Sequence, residues 1–83
     1  MKHAGADSLG QLTGLLGAIR SRPGLAERRP GILYRRGRAF LHFHEDPAGL
    51  FADLRDSGDW ERFRVTDPAE QAHLLAALDA ALR

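Results

Sequence analysis

Apolar residues recur along the chain in two rhythms, helical at both ends and alternating between them. Leu9, Leu12, Leu15, Leu16 and Ile19 follow at helical spacing and make one stripe. Ser8 stands before them as an N-cap, with Gln11 three positions on to close a capping box. Gly10, Gly14 and Gly17 weaken this helix by roughly 1 kcal/mol each relative to alanine and leave room for another backbone to come close. Ser21-Arg22-Pro23-Gly24 ends it, because a proline pushes the preceding residue out of the helical region. The second helical stretch is better punctuated. Asp67 caps it, Pro68 takes the first helical position, Glu70 completes a capping box, and Leu74, Leu75, Leu78 and Leu82 form its buried stripe.

Residues 25–30 read as a basic connector closed by Pro30-Gly31. Four strands follow: Ile32–Arg35, Arg38–Phe43, Leu50–Arg55 and one through Arg62–Val65. Arg36-Gly37 is a two-residue hairpin turn, with glycine where positive φ is needed. Glu45-Asp46-Pro47-Ala48-Gly49 and Asp56-Ser57-Gly58-Asp59 are the other turns. The predicted fold is α+β: helix, four-stranded antiparallel meander, helix, with both helices on one face of the sheet. Residues 1–7 carry no periodicity and read as a flexible arm, and residues 8–83 as a single domain.

A regular Arg36-Gly37 hairpin pairs Tyr34 with Ala39 and Ile32 with Leu41, on one face with Phe43, Leu50, Ala52, Leu54, Phe63 and Val65. That face is the expected core. Alternation sends Leu33, Arg35, Arg38, Phe40, His42, Phe51, Asp53, Arg55, Arg62 and Arg64 to the other side. Three large apolar side chains among five arginines are odd for plain solvent exposure. They point to a partner surface formed by Leu33, Phe40, Phe51, Arg38, Arg55, Arg62 and Arg64, facing a second copy or another protein. Single-stranded nucleic acid is an alternative occupant, with bases stacked on Phe40 and Phe51. Trp60, at a turn edge, reads as a lid on the core.

Charge changes this picture only in part. Net charge is +1, yet residues 1–44 hold eight basic against two acidic side chains, and residues 45–83 hold four against nine. Such a split can steer an acidic partner, or simply be satisfied internally once the halves fold together. The near-neutral total counts against a nucleic-acid role. Eleven of the twelve basic residues are arginine, which reads first as compositional bias and second as a preference for bidentate phosphate contacts. With 43% hydrophobic and 28% charged residues the chain is globular rather than disordered. The absence of cysteine excludes a disulfide scaffold, thiolate metal sites and a cysteine nucleophile. The longest charge-free stretch, Ser8 to Ile19, falls short of the roughly 20 residues that span a bilayer, and no signal-peptide pattern is present. The expected setting is therefore the cytoplasm.

The sharpest local chemistry is His42-Phe43-His44-Glu45-Asp46. Two histidines at i, i+2 on a strand point the same way and can chelate one divalent metal, with Asp53 or Glu45 as third ligand. A metal-dependent or hydrolytic site at His42, His44 and Asp53 is the alternative to a binding surface. The plainer reading makes His42 a half-buried sheet residue hydrogen-bonded to Asp53. Ser8, Ser21 and Ser57 lie in a cap or turns with no adjacent histidine, so no nucleophile–base pair is visible. No phosphate-cradling glycine loop precedes a helix. No catalytic residue is assigned, and no cofactor other than the alternative metal.

The run Gly31-Ile32-Leu33-Tyr34-Arg35-Arg36-Gly37-Arg38-Ala39-Phe40-Leu41-His42-Phe43-His44-Glu45-Asp46, followed by Ala52-Asp53-Leu54, resembles a pattern in small bacterial proteins. It is also similar to the central segment of the luciferase-domain family, where a Gly-Arg, His-x-His, Ala-Asp-Leu progression lies between helices. The similarity covers about residues 30–65. It implies the same α+β meander, singles out His42, His44 and Asp53, and carries no reaction with it. The expectation is a non-enzymatic binding module that self-associates through an exposed aromatic- and arginine-rich sheet face.

Overall fold

In the computed structural model, which describes residues 1–83, the chain runs β1 (Lys2–His3), α1 (Ala6–Gln11), α2 (Thr13–Arg20), β2 (Ala26–Arg29), β3 (Ile32–Arg35), β4 (Arg38–Asp46), β5 (Gly49–Asp56), β6 (Asp59–Arg64) and α3 (Pro68–Ala81). The α+β class and the antiparallel pairing are as expected. The four-stranded, two-helix arrangement is not: the sheet has six strands and there are three helices. Five strands lie in the order β2-β3-β4-β5-β6, and β1 pairs with β4.

Each departure has a local cause. β2 is Ala26-Glu27-Arg28-Arg29, an edge strand with no apolar alternation, because an edge exposed to water needs none. Arg20 and the Gly31 N–H both bond the Glu27 carboxylate, which ties β2 and the turn after it to the end of α2. β1 occupies the stretch of β4 edge that β3 leaves free, since β3 pairing ends at Ile32↔His42 and β1 begins at His3↔His44. The first helical stripe is broken at Leu12 (φ −107°, ψ 18°), where the Thr13 hydroxyl donates to the Gly10 carbonyl at 2.8 Å. Ser8 is inside α1 and buried rather than capping it; Gly5 is the N-cap. α3 follows its sequence signals. Glu70 N–H donates to Asp67 Oδ1 at 2.9 Å and Asp67 N–H to Glu70 Oε1 at 3.1 Å, a complete capping box.

The core lies on one face of the sheet. Leu12, Leu15, Leu16, Ile19, Leu74 and Leu78 from the helices meet Leu41, Phe43, Leu50, Ala52, Leu54 and Val65 from the strands in one cluster. Leu33 and Phe40, expected on the opposite side, belong to that cluster at 1% and 7% exposure. The reason is a bulge. Arg36 and Gly37 sit at φ 53° and 78°, the two-residue turn with both centres left-handed, and Tyr34 pairs with Ala39 as expected. Leu33 then pairs with Leu41, leaving Phe40 as the extra residue, and Ile32 pairs with His42. Leu41 and Phe43 keep the core face, so the one inserted residue exchanges the faces of β3 and of the turn end of β4. Leu33 turns inward, Ile32 turns outward, and neither Ile32 nor Tyr34 is part of the core cluster.

No helix is long and apolar enough to cross a membrane. The charge split between the halves is met inside the molecule only in part, as Lys2 with Glu45 and Arg22 with Asp79.

Candidate functional site

The outer face of the sheet, opposite the helices, is laid out by strand register. One row across it is Ile32, His42, Asp53 and Arg62; the next is His3, His44, Phe51 and Arg64; Arg55 and Trp60 form a third. Side chains two apart on a strand share a face, so the rows stack into one continuous surface.

Asp53 is its electrostatic centre. Arg62 grips it with both arms of the guanidinium, Nε to Oδ1 at 2.8 Å and a terminal nitrogen to Oδ2 at 2.9 Å. His44 Nε2 stands 3.1 Å from Oδ2 on the other side. The Arg62 bonds hold the Asp53 carboxyl below its ordinary range. Burial, the largest influence on both His42 and His44, pushes these imidazoles below the usual histidine value. For His42 the neighbouring His3 and His44 act in the same direction; for His44, Asp53 opposes the shift without reversing it.

Three imidazoles crowd this surface. The His3 ring centroid is 4.8 Å from that of His44 and 5.7 Å from that of His42, and the latter two are 6.0 Å apart. Trp60 lies against His42 at 4.6 Å, and the Arg55 guanidinium covers the Trp60 ring at 4.5 Å. Trp60 is 41% exposed, so it stands on the outer face and is not a lid on the core.

The structure therefore keeps part of the expected partner surface and removes part. Phe51, Arg55, Arg62 and Arg64 are on the outer face; Arg38, beside the first hairpin turn, pairs with Arg35, which reaches α3, so the register places it on the helix side. Leu33 and Phe40 are withdrawn into the core by the bulge. Arg64 is engaged with Glu70 at 2.9 Å and with the Ala48 carbonyl at 3.2 Å. His42, His44 and Asp53 do come together, but it is His44, not His42, that reaches the carboxylate. With Arg62 holding both oxygens of Asp53, no group of three or more histidine or acidic side chains has the arrangement that holds a metal ion. If His42, His44 and Asp53 were to take a metal, Arg62 would first have to release Asp53.

His3, Trp60 and, through the bulge, Ile32 are the members of the surface that sequence reasoning missed. Trp60 was in reach, because it is two residues before Arg62 on the same strand and alternation puts both on one side. His3 had no signal, since its place depends on a two-residue pairing across 41 positions of chain. No family model, no curated protein and no solved structure matches this chain, so its reading rests on the geometry alone.

Proposed function

We propose that the chain is a small non-enzymatic binding module that self-associates through the outer face of its sheet. One observation carries the reading: Trp60, 41% exposed, stands against His42 on a face that no helix covers. Large rings on an open surface usually mark an interface. Phe51 and Ile32 extend the apolar area in the neighbouring rows. The charges in the two neighbouring rows are of both signs and already paired, Arg62 with Asp53 and Arg64 with Glu70, while Arg55 is stacked on the Trp60 ring without a carboxylate. A second copy can thus cover those two rows without stranding Arg62 or Arg64, whose charges are matched within the chain. The same pairings count against single-stranded nucleic acid here, because these two guanidiniums are committed to carboxylates rather than open to phosphates.

Sedimentation velocity over a wide concentration range tests the reading. The expected result is a concentration-dependent dimer that Trp60→Ser and Phe51→Ser each dissociate while circular dichroism shows the fold retained; both side chains lie outside the core cluster. A monomer at every concentration, or a dimer that both variants keep, overturns it.

A further inference from the structure

Two hairpin turns lie at the same end of the sheet, Arg36-Gly37 between β3 and β4 and Ser57-Gly58 between β5 and β6. Between them is a cleft of about 440 Å³ lined by Arg35, Arg36, Arg38 and Arg55, with Phe40 and the second turn completing its wall. No acidic residue lines it. None of the four guanidiniums has a carboxylate partner, whereas Arg20, Arg22, Arg62 and Arg64 elsewhere each have one. The larger cleft of the molecule differs in this respect, since Lys2 there is paired with Glu45 and the Met1 amino group with Asp46.

Two of the four arginines are held in place by groups that do not neutralise them. Arg35 donates to the Ala81 carbonyl in the last turn of α3 at 2.9 Å and lies 5.6 Å from the Phe40 ring centre. Arg55 lies on Trp60, and its Nε is buried with no hydrogen-bond partner. Guanidiniums stacked on rings are oriented before a ligand arrives and keep donors open along their edges. Arg36 adds a second sign of selection for position over comfort, because it occupies a left-handed backbone conformation (φ 53°) where asparagine or glycine is the ordinary choice.

We propose that this cleft binds a phosphate-bearing small molecule. Four positive charges lining one opening, with Asp56 and Asp59 flanking the second turn but not lining it, call for a polyanion, since one carboxylate would leave three charges unmatched. Phosphate oxygens suit the paired N–H donors of a guanidinium, and arginine prefers such bidentate contacts. The site shares Arg55 with the outer face but does not rest on self-association, because Arg35, Arg36 and Arg38 sit at the hairpin end.

Trp60 is the only tryptophan, and its ring carries Arg55, so its fluorescence reports on the cleft. Pyrophosphate is titrated into the full chain at one fixed protein concentration and constant ionic strength, with sodium chloride and a short oligothymidine as parallel arms. A saturable change with pyrophosphate is expected, weakened roughly tenfold or more in Arg38→Ala and Arg36→Asn, the loss of one charge-assisted contact. Arg29→Ala, which removes the same charge from the β2 edge, is expected to leave the affinity unchanged. Arg36→Asn suits the turn it occupies, so misfolding does not excuse a null result. No saturable response to pyrophosphate, an equal loss in Arg29→Ala, or saturation by the oligothymidine alone overturns the proposal.

Discussion

His44 Nε2 and Asp53 Oδ2 stand 3.1 Å apart with only 14% and 13% of their side chains exposed, yet the imidazole is pushed down, not up. Burial outweighs the neighbouring carboxylate, which is already shared with Arg62. His42 is lowered for the same first reason.

The pH dependence of stability follows from these directions. The unfolded chain takes up protons near pH 6.5, where the folded histidines still refuse them. Their contribution is therefore complete above that value and lost as pH falls through it toward the folded values. Asp53, lowered from 3.8, adds a loss in the same direction at lower pH. The urea midpoint should fall between about pH 7.5 and about pH 5.5, and the slope should flatten in the His42→Gln, His44→Gln double variant. Equal slopes in both proteins would remove the histidines from the account.

The bulge at Phe40 makes a prediction that separates it from a regular hairpin. Leu33 is 1% exposed and packed in the core, so Leu33→Ala should cost about 2–5 kcal/mol. Ile32→Ala, on the outer face beside His42, should cost clearly less, because little core volume is lost. Chemical denaturation of the two variants decides it, and the reverse order would restore the regular register. Phe40→Ser, which on a regular hairpin would only alter a surface, should instead destabilise the protein strongly.

What was legible in the sequence follows from which signals are local. The Arg36-Gly37 turn, the Asp67 capping box and the buried positions of β5 are written in adjacent residues, and the structure has all three. A bulge is one residue of slip, and in Leu33, Phe40 and Leu41 the chain offers apolar side chains for either register. β1 depends on pairing with a distant partner, and β2, although it forms a short hairpin with β3, has mostly polar, exposed residues that give no strand pattern. The outer face was consequently placed on the right strands with two of its apolar members wrong.

The glycines divide into removable and required ones. A Cβ on Gly14 or Gly17 in α2 would meet nothing within 4 Å, so no backbone packs against them. Gly14→Ala and Gly17→Ala should each stabilise the protein by up to about 1 kcal/mol, through backbone entropy and helix propensity. Gly31 is the opposite case. It lies at φ 75°, and a Cβ there would come within 2.9 Å of Leu9. Gly31→Ala should lower the thermal midpoint while the two helix variants raise it; a gain at Gly31 would show that the turn can rearrange.

Arg36 is where stability and binding should part company. Its φ of 53° strains a side chain with a Cβ, and the following Gly37 completes a turn whose first position favours asparagine. Arg36→Asn should therefore raise stability by about 0.5–1 kcal/mol, helped by the removal of one of four crowded positive charges. The same change should weaken pyrophosphate binding, since Arg36 lines the cleft. Opposite signs in denaturation and titration are what a residue kept for its ligand produces. If Arg36→Asn instead lost stability, the arginine would be making a structural contribution, and the strain at this turn would no longer argue for a ligand.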